Sequence, residues 1–259
     1  MGRQSGVRGG VVAVALLLGV SGCGGQQSSG GDAKTGTKPA ASSSPGSPAA
    51  PGGGASATVP APAPGGGGKP ASGDVLPGMV GVAVARTQLA ALPVGKPGTM
   101  AGYSRDKFTH WAEQGNKCDT REVVLERDGA DVTRDSECRA VTGRWKSLYD
   151  GSEITEAGKL DIDHMVPLAE AWRSGASGWD AAKRKAFAND LVRPQLLAVS
   201  AGSNRSKGDQ SPDLWQPTDR SSWCQYGRAW TTVKSQYGLT VTEAERATLT
   251  TMLDTCAAS

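Results

Sequence analysis

Three polar residues near the middle of the chain have the types that acid–base and metal chemistry need. Asp161, Asp163 and His164 lie within one short stretch, DIDHMVPLAEAW (residues 161–172), and His164 is one of only two histidines. A neutral imidazole accepts a proton readily near pH 7, and a carboxylate is a good ligand for a hard divalent cation. The pattern predicts a catalytic base beside a metal ligand. The alternative is a histidine at a strand edge that bonds a backbone carbonyl.

A second polar motif, SNRSKGD (residues 203–209), comes later in the chain and contains Asn204. An amide oxygen there would join a carboxylate in holding a cation that keeps several of its waters. A base and a cation together are what hydrolysis of a phosphodiester bond requires. Asp161 alternates with Asp163 and therefore faces the same side of a strand. A supporting role near the site and a solvent-exposed position are equally open for Asp161.

The elements that must position these residues can be predicted from the hydrophobic pattern. KLDIDHMVP indicates a strand that ends at Pro167, and PQLLAVS (residues 194–200) indicates a second, short apolar strand. LAEAWRSG and WDAAKRKAFANDL, which lie between them, have apolar residues at helical spacing, and SNRSKGD begins with a good helix-capping residue. The expected order is a strand with Asp-His, a helical insert, a second strand, and a helix with Asn204.

The rest of the chain after residue 80 is predicted to contain both helices and strands. The expected elements are helices over residues 82–92 and 104–115, strands over 121–129 and 143–151, and two C-terminal helices, the second capped by Thr242 and Glu245. His110 is interpreted as structural, and Trp145 and Trp172 are expected to be buried.

The N-terminal part has the composition of an export signal followed by a tether. Two arginines precede a ten-residue apolar run, VVAVALLLGV (residues 11–20), which is too short to span a bilayer. The run ends in VSGC, which resembles a lipobox and makes Cys23 a candidate for lipidation; an ordinary signal peptide is the alternative. Residues 24–73 are rich in Gly, Ser, Pro and Ala, so they are expected to stay flexible.

Four further cysteines indicate a disulfide-stabilised, exported domain. Cys118, Cys138, Cys224 and Cys256 form an even set, which suits an oxidising compartment. Of the three pairings, the local one is preferred, with Cys118 bonded to Cys138 and Cys224 bonded to Cys256. A zinc site is the competing interpretation, but no CxxC motif supports it.

The charge distribution does not by itself indicate nucleic-acid binding. The whole chain has a formal net charge of +3, yet acidic residues slightly outnumber basic ones from residue 99 onward. A local basic cluster does follow the first motif; its members are Arg173, Lys183, Arg184, Lys185, Arg193, Arg205 and Lys207.

The segment from Asp161 to Asp209 resembles the HNH endonuclease family, in a secreted bacterial branch that has a helical insert between its two strands. SNRSKGD is similar to the CNRSKGD ending of many of these nucleases, and YSRDKFTHWAEQGNKCDTRE also looks like that branch. The resemblance extends over about residues 83–256. It implies an α+β fold in which an HNH ββα-metal core is elaborated with additional helices and stabilised by disulfides.

The resemblance also implies roles for particular residues. His164 would be the general base, and Asp163 and Asn204 would hold a divalent cation, Mg²⁺ in the first place and Mn²⁺ or Ca²⁺ as alternatives. Gln195 stands where the family usually has Asn, so either Gln195 or Asn189 is expected to orient the base. Contacts with nucleic acid are expected from the following residues: Arg205, Lys207, Arg173 and Arg121. A structural ion pair is the alternative for Arg121, and Glu170 is a weaker candidate for reaching the metal through water.

The function implied is a metal-dependent endonuclease that acts outside the cell on DNA, with RNA as a second candidate substrate. The alternative is a non-catalytic surface-binding lipoprotein on an HNH scaffold. The expected organisation is a signal peptide over residues 1–22, a lipidated Cys23 with its tether over 23–78, and the nuclease domain over 79–259. The protein would be exported and held on the extracellular face of the membrane by its lipid, with no obligate protein partner.

Overall fold

A computed structural model describes residues 76–257 of the chain. The predicted signal segment, Cys23 and nearly all of the predicted tether lie outside these residues. Leu76 and Met79 are already buried in the main apolar core, so the described chain joins that core from its first residue. Within the described residues, no helix is both long enough and apolar enough to cross a membrane.

The fold contains seven α-helices and seven strands in the part of the chain that the structure describes. The helices are α1 (Val82–Ala91), α2 (Thr120–Asp128), α3 (Leu168–Arg173), α4 (Ala181–Ala188), α5 (Ala201–Lys207), α6 (Trp223–Tyr237) and α7 (Glu243–Asp254). The strands are β1 (Glu113–Gly115), β2 (Cys118–Asp119), β3 (Ala130–Arg134), β4 (Ala140–Lys146), β5 (Glu153–Glu156), β6 (Leu160–His164) and β7 (Leu196–Ser200). The predicted α+β class with two disulfides is confirmed.

The strands form three small antiparallel sheets, and one of them carries the polar motifs. β1 pairs with β2, and β3, β4 and β5 form a three-stranded sheet in that order. β6 pairs with β7 in unbroken register, with Leu160 opposite Ser200 and His164 opposite Leu196. Helix α5 follows β7 directly, and α3 and α4 form the insert between the two strands. This is the predicted order of strand, helical insert, strand and helix.

The β6–β7 hairpin lies between two apolar clusters, which explains the unbroken apolar run in β7. Leu197 and Val199 belong to the main cluster, formed with the helices of the insert and the C-terminus. Leu196 and Ala198 point to the other face and pack in a second cluster around Trp145. A strand that is buried on both faces is apolar at every position instead of alternating.

The structure corrects the predicted strand over residues 121–129, which is helix α2. Asp119 caps this helix because its side chain accepts a hydrogen bond from the backbone N–H of Glu122. At its other end, Arg127 Nη2 donates to the carbonyl of Leu196 at 2.6 Å, and the N–H of Ala198 donates to Asp128 Oδ2 at 2.8 Å. These two side chains bond backbone groups on the outer edge of β7, where another strand could otherwise pair.

The predicted helix over residues 104–115 is also wrong. Ser104 does cap a turn, as predicted, but this is a single 3-10 turn over Arg105–Lys107. Beyond it, Trp111 has a left-handed backbone conformation with φ of 57°, which a helix does not allow. The side chain of Asn189 replaces helical hydrogen bonds there, since it accepts from Ala112 N and donates to the carbonyl of Thr109.

The other sequence predictions for this part agree with the structure. The helix over 82–92 is α1, the capping box of Thr242 and Glu245 is formed in full, and Trp145 and Trp172 are buried. The region 143–151 is strand only as far as Lys146 and then turns. Both disulfides have the predicted local pairing.

The C-terminal helices are tied to the insert by a buried ionic cluster. Lys234 on α6 is fully buried, and its Nζ donates to Glu170 on α3 at 2.9 Å. The same ammonium pairs with Glu245 on α7 at 2.7 Å, and Trp230 Nε1 donates to that carboxylate at 2.6 Å. This pairing compensates the buried charges, and it fixes α3, the helix that directly follows the Asp-His strand, against the rest of the molecule.

Candidate active site

Helix α5 contacts strand β6 through two polar pairs, one helical turn apart. Asn204 Nδ2 donates to Asp161 Oδ2 at 3.1 Å. Lys207 Nζ donates to Asp163 Oδ2 at 2.6 Å. Residues three apart on a helix share one face, so the side chains of Asn204 and Lys207 meet the two carboxylates that alternate along β6. The Asp161 side chain thus supports Asn204.

A cavity of about 270 Å³ opens where β6, α5 and the 3-10 turn of Arg105–Lys107 meet. It brings together four of the predicted site residues: His164, Asp163, Asn204 and Arg205. The structure adds two residues that the sequence analysis did not single out, Tyr103 and Arg105. In the sequence, these two residues belong to the segment YSRDKF, whose local pattern indicates only the start of a helix.

The imidazole of His164 is buried and oriented by a backbone carbonyl. Its Nε2 lies 3.0 Å from the carbonyl oxygen of Ala188, at the end of α4. A carbonyl only accepts hydrogen bonds, so Nε2 carries the proton and Nδ1 carries the lone pair. No described residue makes a hydrogen bond to Nδ1. Burial lowers the pKa of His164 to about 3, against a smaller opposing effect of the Ala188 carbonyl, so the ring is neutral at neutral pH.

Neither of the two residues predicted to orient His164 touches its ring. Gln195 is fully buried, and its amide bonds both backbone groups of Val166, at 3.1 Å and 2.9 Å. Asn189 bonds the 109–112 segment and Thr120. Asn189 is nevertheless the next residue after Ala188, whose carbonyl bonds the His164 ring. Gln195 likewise fixes the chain two residues after His164.

The 109–112 segment, to which the Asn189 side chain is hydrogen-bonded, brings an aromatic ring close to the His164 imidazole. The rings of Trp111 and His164 are 5.9 Å apart between centroids, with a tilt of 32°. His110 packs edge-on against the other side of Trp111 and bonds the carbonyl of Phe108 through Nδ1 at 2.9 Å. This is the structural placement that the sequence predicts for His110. Trp111 thus covers one face of the His164 environment.

Asp163 is engaged on one carboxylate oxygen only. Its Oδ2 accepts from Tyr149 Oη at 2.5 Å and from Lys207 Nζ at 2.6 Å. Burial raises the pKa of Tyr149 well above its usual value, and the Asp163 charge adds to the effect, so the phenol stays a donor. No described residue bonds Asp163 Oδ1, which is the oxygen available to the cavity.

The position of Lys207 does not fit the predicted phosphate contact. The residue is fully buried, and its ammonium is bonded to Asp163 and to the carbonyl of His164 at 2.9 Å. Burial lowers the pKa of Lys207, and the charge of Asp163 opposes that effect. Lys207 is therefore the internal counter-ion of Asp163. Its exposed neighbour, Arg205, lines the cavity and has no ion pair with any described residue.

The other predicted nucleic-acid contacts lie outside the cavity lining. Arg173 is paired with Glu170 at 3.0 Å and with Asp209 at 2.6 Å. Arg121 is paired with Glu122 at 2.5 Å, which is the structural alternative left open for it. Both oxygens of Glu170 are bonded, one by Arg173 and one by Lys234, so it has no free oxygen for a metal-bound water.

A second cavity, of about 340 Å³, is larger but has no group suited to catalysis. It is lined by Glu170, Arg173, Asp209 and Glu245, among others. The carboxylates of Glu170 and Glu245 are both paired with Lys234, and Arg173 pairs with Asp209. The smaller cavity is the candidate site because it alone of the two contains His164.

The donor set of the smaller cavity fits a hard divalent cation that is held by few protein ligands. No described residue bonds Asp163 Oδ1. The Asn204 amide donates a hydrogen bond to Asp161 through Nδ2, which leaves Oδ1 of Asn204 as a free acceptor. Mg²⁺ is commonly held by one or two side-chain oxygens and keeps several waters. No group of three or more His, Cys, Asp or Glu side chains in the described residues is arranged to hold a metal. A tightly caged ion, such as a structural zinc, therefore does not fit.

An antiparallel hairpin that ends in Asp-His, followed by a helix with an inward-facing Asn, defines an HNH-type nuclease class. Residues 119–252 match the family described as GmrSD restriction endonucleases, C-terminal domain, and the chain belongs to that family. The predicted relationship to HNH-type nucleases is confirmed. The family implies nuclease-type activity on nucleic acid.

One relative shares most of the described chain. An uncharacterized secreted protein of Arthroderma benhamiae is 49% identical over 187 residues, which cover 72% of this chain and 92% of the relative. No solved structure matches.

Proposed function

We propose that this protein is a metal-dependent endonuclease that hydrolyses phosphodiester bonds of DNA, with RNA as a second substrate, outside the cell. The observation that carries the proposal is the state of His164. Its ring is held at Nε2 by the Ala188 carbonyl, no described residue bonds Nδ1, and His164 lines one cavity with Asp163 and Asn204. These are the requirements for a general base next to a cation site.

His164 Nδ1 takes a proton from the water that attacks phosphorus. The hydrogen bond from Nε2 to the Ala188 carbonyl keeps the ring in one orientation and stabilises the imidazolium as it forms. His164 is buried, so its ring is largely shielded from bulk solvent. A neutral ring in the resting enzyme is ready to act without losing a proton first.

Asp163 and Asn204 would hold the divalent cation through their free oxygens. A bound cation, Mg²⁺ in the first place and Mn²⁺ or Ca²⁺ as alternatives, supplies positive charge against the charge that develops on the phosphate and the leaving oxygen. Lys207 already neutralises Asp163, so the two protein ligands alone offer little net negative charge. A phosphodiester in the cavity adds the missing charge, so affinity for the cation is expected to rise when substrate is bound.

Several side chains act indirectly in this proposal. Gln195 fixes the backbone after His164, and Asn189 fixes the α4 end that supplies the Ala188 carbonyl. Both are positioning residues rather than groups that touch substrate. Arg205 is exposed on the cavity wall, where it would contact a backbone phosphate of a bound substrate. Arg173 and Arg121 keep structural roles in their ion pairs.

The proposal extends to the segments outside the described residues. Export by residues 1–22, lipidation of Cys23 and a tether up to about residue 78 would place the nuclease domain on the extracellular face of the membrane. A lipidated cysteine with two acyl chains suits stable anchoring. Incorporation of labelled fatty acid that is lost in Cys23→Ser tests the anchor independently of the chemistry.

Incubation with nucleic acid tests the enzymatic proposal directly. The purified chain is mixed with supercoiled plasmid and with a single-stranded RNA, each with Mg²⁺ or with a chelator. The expected result is nicking and linearisation of the plasmid in Mg²⁺ and none in chelator. Asp163→Asn and Asn204→Ala should each raise the Mg²⁺ concentration needed for half-maximal cleavage. Binding of DNA without any cleavage across Mg²⁺, Mn²⁺ and Ca²⁺ would instead favour the non-catalytic surface protein.

A further inference from the structure

Arg105 belongs to a rigid turn that places its side chain on the wall of the His164 cavity. The turn is capped by Ser104, whose Oγ accepts from the N–H of Asp106 at 3.3 Å. It is anchored on either side by aromatic residues, because Phe108 is fully buried and Tyr103 packs edge-on against Trp172 at 5.8 Å. The backbone of Arg105 is therefore fixed while its side chain lies exposed beside the cavity.

The acidic and basic side chains on the cavity wall differ in their pairing. Asp163 is paired with Lys207 at 2.6 Å, and Asp209 is paired with Arg173 at 2.6 Å. Both carboxylates on the wall are thus neutralised by cations that do not line the cavity. Arg105 and Arg205 line it, and the side chain of neither has an ion pair or hydrogen bond with any described residue. The wall thus presents two unpaired guanidinium groups that suit an anionic ligand.

Arg105 also lies near the proposed base, because Arg105 and His164 line the same cavity. A phosphate group in contact with His164-activated water would therefore lie within the field of the Arg105 guanidinium. Guanidinium suits this task because its planar fork bonds two phosphate oxygens at once.

Lys107, in the same turn, provides an internal contrast. Its ammonium donates to the carbonyl of Gly102 at 2.5 Å and lies 5.2 Å from the centre of the Trp172 ring. It does not line the cavity. The same short turn thus has one cation bonded to the protein and one cation free at the site.

We propose that Arg105 binds the phosphodiester that is cleaved and stabilises the negative charge that develops on its non-bridging oxygens. The inference rests on the proposed nuclease function and adds a residue from outside the ββα core to its site. No bond to Arg105 forms or breaks in the reaction. Its contribution is charge and hydrogen bonds at the phosphate.

The test compares Arg105→Gln, Arg105→Lys and the control Lys107→Gln in the full chain. Binding of a labelled DNA duplex is measured in chelator across a salt series, and single-turnover cleavage is measured in Mg²⁺ at saturating enzyme. For Arg105→Gln, the slope of log affinity against log salt should fall by about 0.9, the value for one lost phosphate contact. Its saturated cleavage rate should fall about 10²–10³-fold, as when one donor to a developing oxyanion is removed.

The two other variants make the result specific. Arg105→Lys should keep the salt slope and recover part of the rate, because it keeps the charge but not the fork. Lys107→Gln should match wild type in both measurements, although it removes the same charge. Equal melting temperatures for Arg105→Gln and wild type will show that an exposed, unpaired side chain has been removed without loss of fold.

Three outcomes would overturn the inference. A saturated rate for Arg105→Gln equal to that of Lys107→Gln would show that Arg105 does not act at the site. Weaker binding with an unchanged saturated rate would place Arg105 on a phosphate away from the cleaved bond. If wild type itself does not cleave nucleic acid, the proposed function fails and this inference fails with it. The first two outcomes leave wild-type cleavage intact, which distinguishes them from the third.

Discussion

The imidazole of His164 is held by the main-chain carbonyl of Ala188, so substitution of the Ala188 side chain does not remove this hydrogen bond. The Ala188 carbonyl is present whatever side chain stands at that position, so substitutions of Ala188 act only through packing at a fully buried site. The orientation of the His164 imidazole depends instead on the path of the backbone at the end of α4. That path is fixed by Asn189, whose side chain makes hydrogen bonds in both directions.

At the same scale, Lys207 is predicted to be needed for stability rather than for phosphate binding. Lys207→Met should destabilise the fold by about 3–5 kcal/mol, because it leaves the buried Asp163 carboxylate without its counter-ion. Denaturation in urea measures the free energy of unfolding. Combining Lys207→Met with Asp163→Asn should recover part of the loss.

Lys185→Met is the matched control, since that lysine is exposed on α4 and should change stability by less than about 0.5 kcal/mol. A Lys207→Met variant as stable as this control, with weakened DNA binding, would contradict the buried pairing and restore the phosphate role.

Sequence patterns predicted the residues whose chemistry is tied to a local motif. Asp163, His164 and Asn204 lie on the hairpin and helix that the apolar runs around them indicate, and they meet in one cavity. The Ala188 carbonyl could not be predicted, since every residue has a carbonyl and only tertiary structure selects one. The burial of Lys207 could not be predicted, because a lysine in a polar motif is usually solvated and its burial depends on a partner on another element.

The start of helix α5 is hydrogen-bonded to a carboxylate that lies outside the β6–β7 strand pair. Asp150, in the turn between β4 and β5, accepts hydrogen bonds from Ser203 Oγ at 2.7 Å and from Ser200 Oγ, the capping residue of α5. Partial burial of Asp150 opposes ionisation, but these hydrogen bonds outweigh it and hold its pKa below the usual value. The ionised carboxylate therefore fixes the start of the helix that carries Asn204.

A pH dependence of stability follows at the scale of this element. The folded pKa of Asp150 lies below its unfolded value of 3.8, so its contribution is fully present above that pH and is lost as the pH falls below it. Wild type should therefore be more stable than Asp150→Asn by a constant amount between pH 5 and 7. The difference should shrink as the pH falls below about 4. Urea denaturation of both proteins across this range measures it, and a difference that does not vary with pH would contradict the assignment.

Two element predictions failed for physical reasons that can be named. REVVLERD contains two adjacent β-branched residues, which favour a strand, but Asp119 caps a helix whose Val124 and Leu125 pack in the second cluster. In the 104–115 segment, Ser104 as a cap and Gly115 as a terminator favoured a helix, and long-range hydrogen bonds of the Asn189 side chain fixed another conformation. Tertiary contacts overrode local propensity in both places. The β6, β7 and α5 predictions succeeded because their apolar patterns agree with the burial that the fold imposes.

In the described part of the chain, apolar clusters cover both faces of the β6–β7 strand pair, and disulfide bonds link the helices around it. Apolar clusters lie on both faces of β6 and β7, and the Cys224–Cys256 disulfide joins the start of α6 to the segment after α7. The Cys118–Cys138 disulfide closes the region that contains α2, the helix whose side chains satisfy the edge of β7. Both sides of the site are thus constrained.

Replacing Cys224 and Cys256 together by Ser should lower the free energy of unfolding by about 2–4 kcal/mol, because the unfolded chain loses a constraint. Urea denaturation without reductant measures the loss, and peptide mapping under non-reducing conditions should find the two local pairs. A Cys118–Cys256 link would show that the pairing is wrong. Cleavage activity should persist in the variant at temperatures below its melting transition, since neither cysteine lines the cavity.

The central claim, that His164 is the general base of a metal-dependent nuclease, is tested most directly by one measurement. The single-turnover rate of plasmid cleavage in saturating Mg²⁺ is compared between wild type and His164→Ala, with melting temperature and Mn²⁺ affinity measured on both. The rate of His164→Ala is expected to be lower by about 10²–10⁴-fold with metal affinity nearly unchanged, because the base is lost and the Asp163 and Asn204 oxygens remain. A folded His164→Ala protein that cleaves at the wild-type rate would contradict the claim.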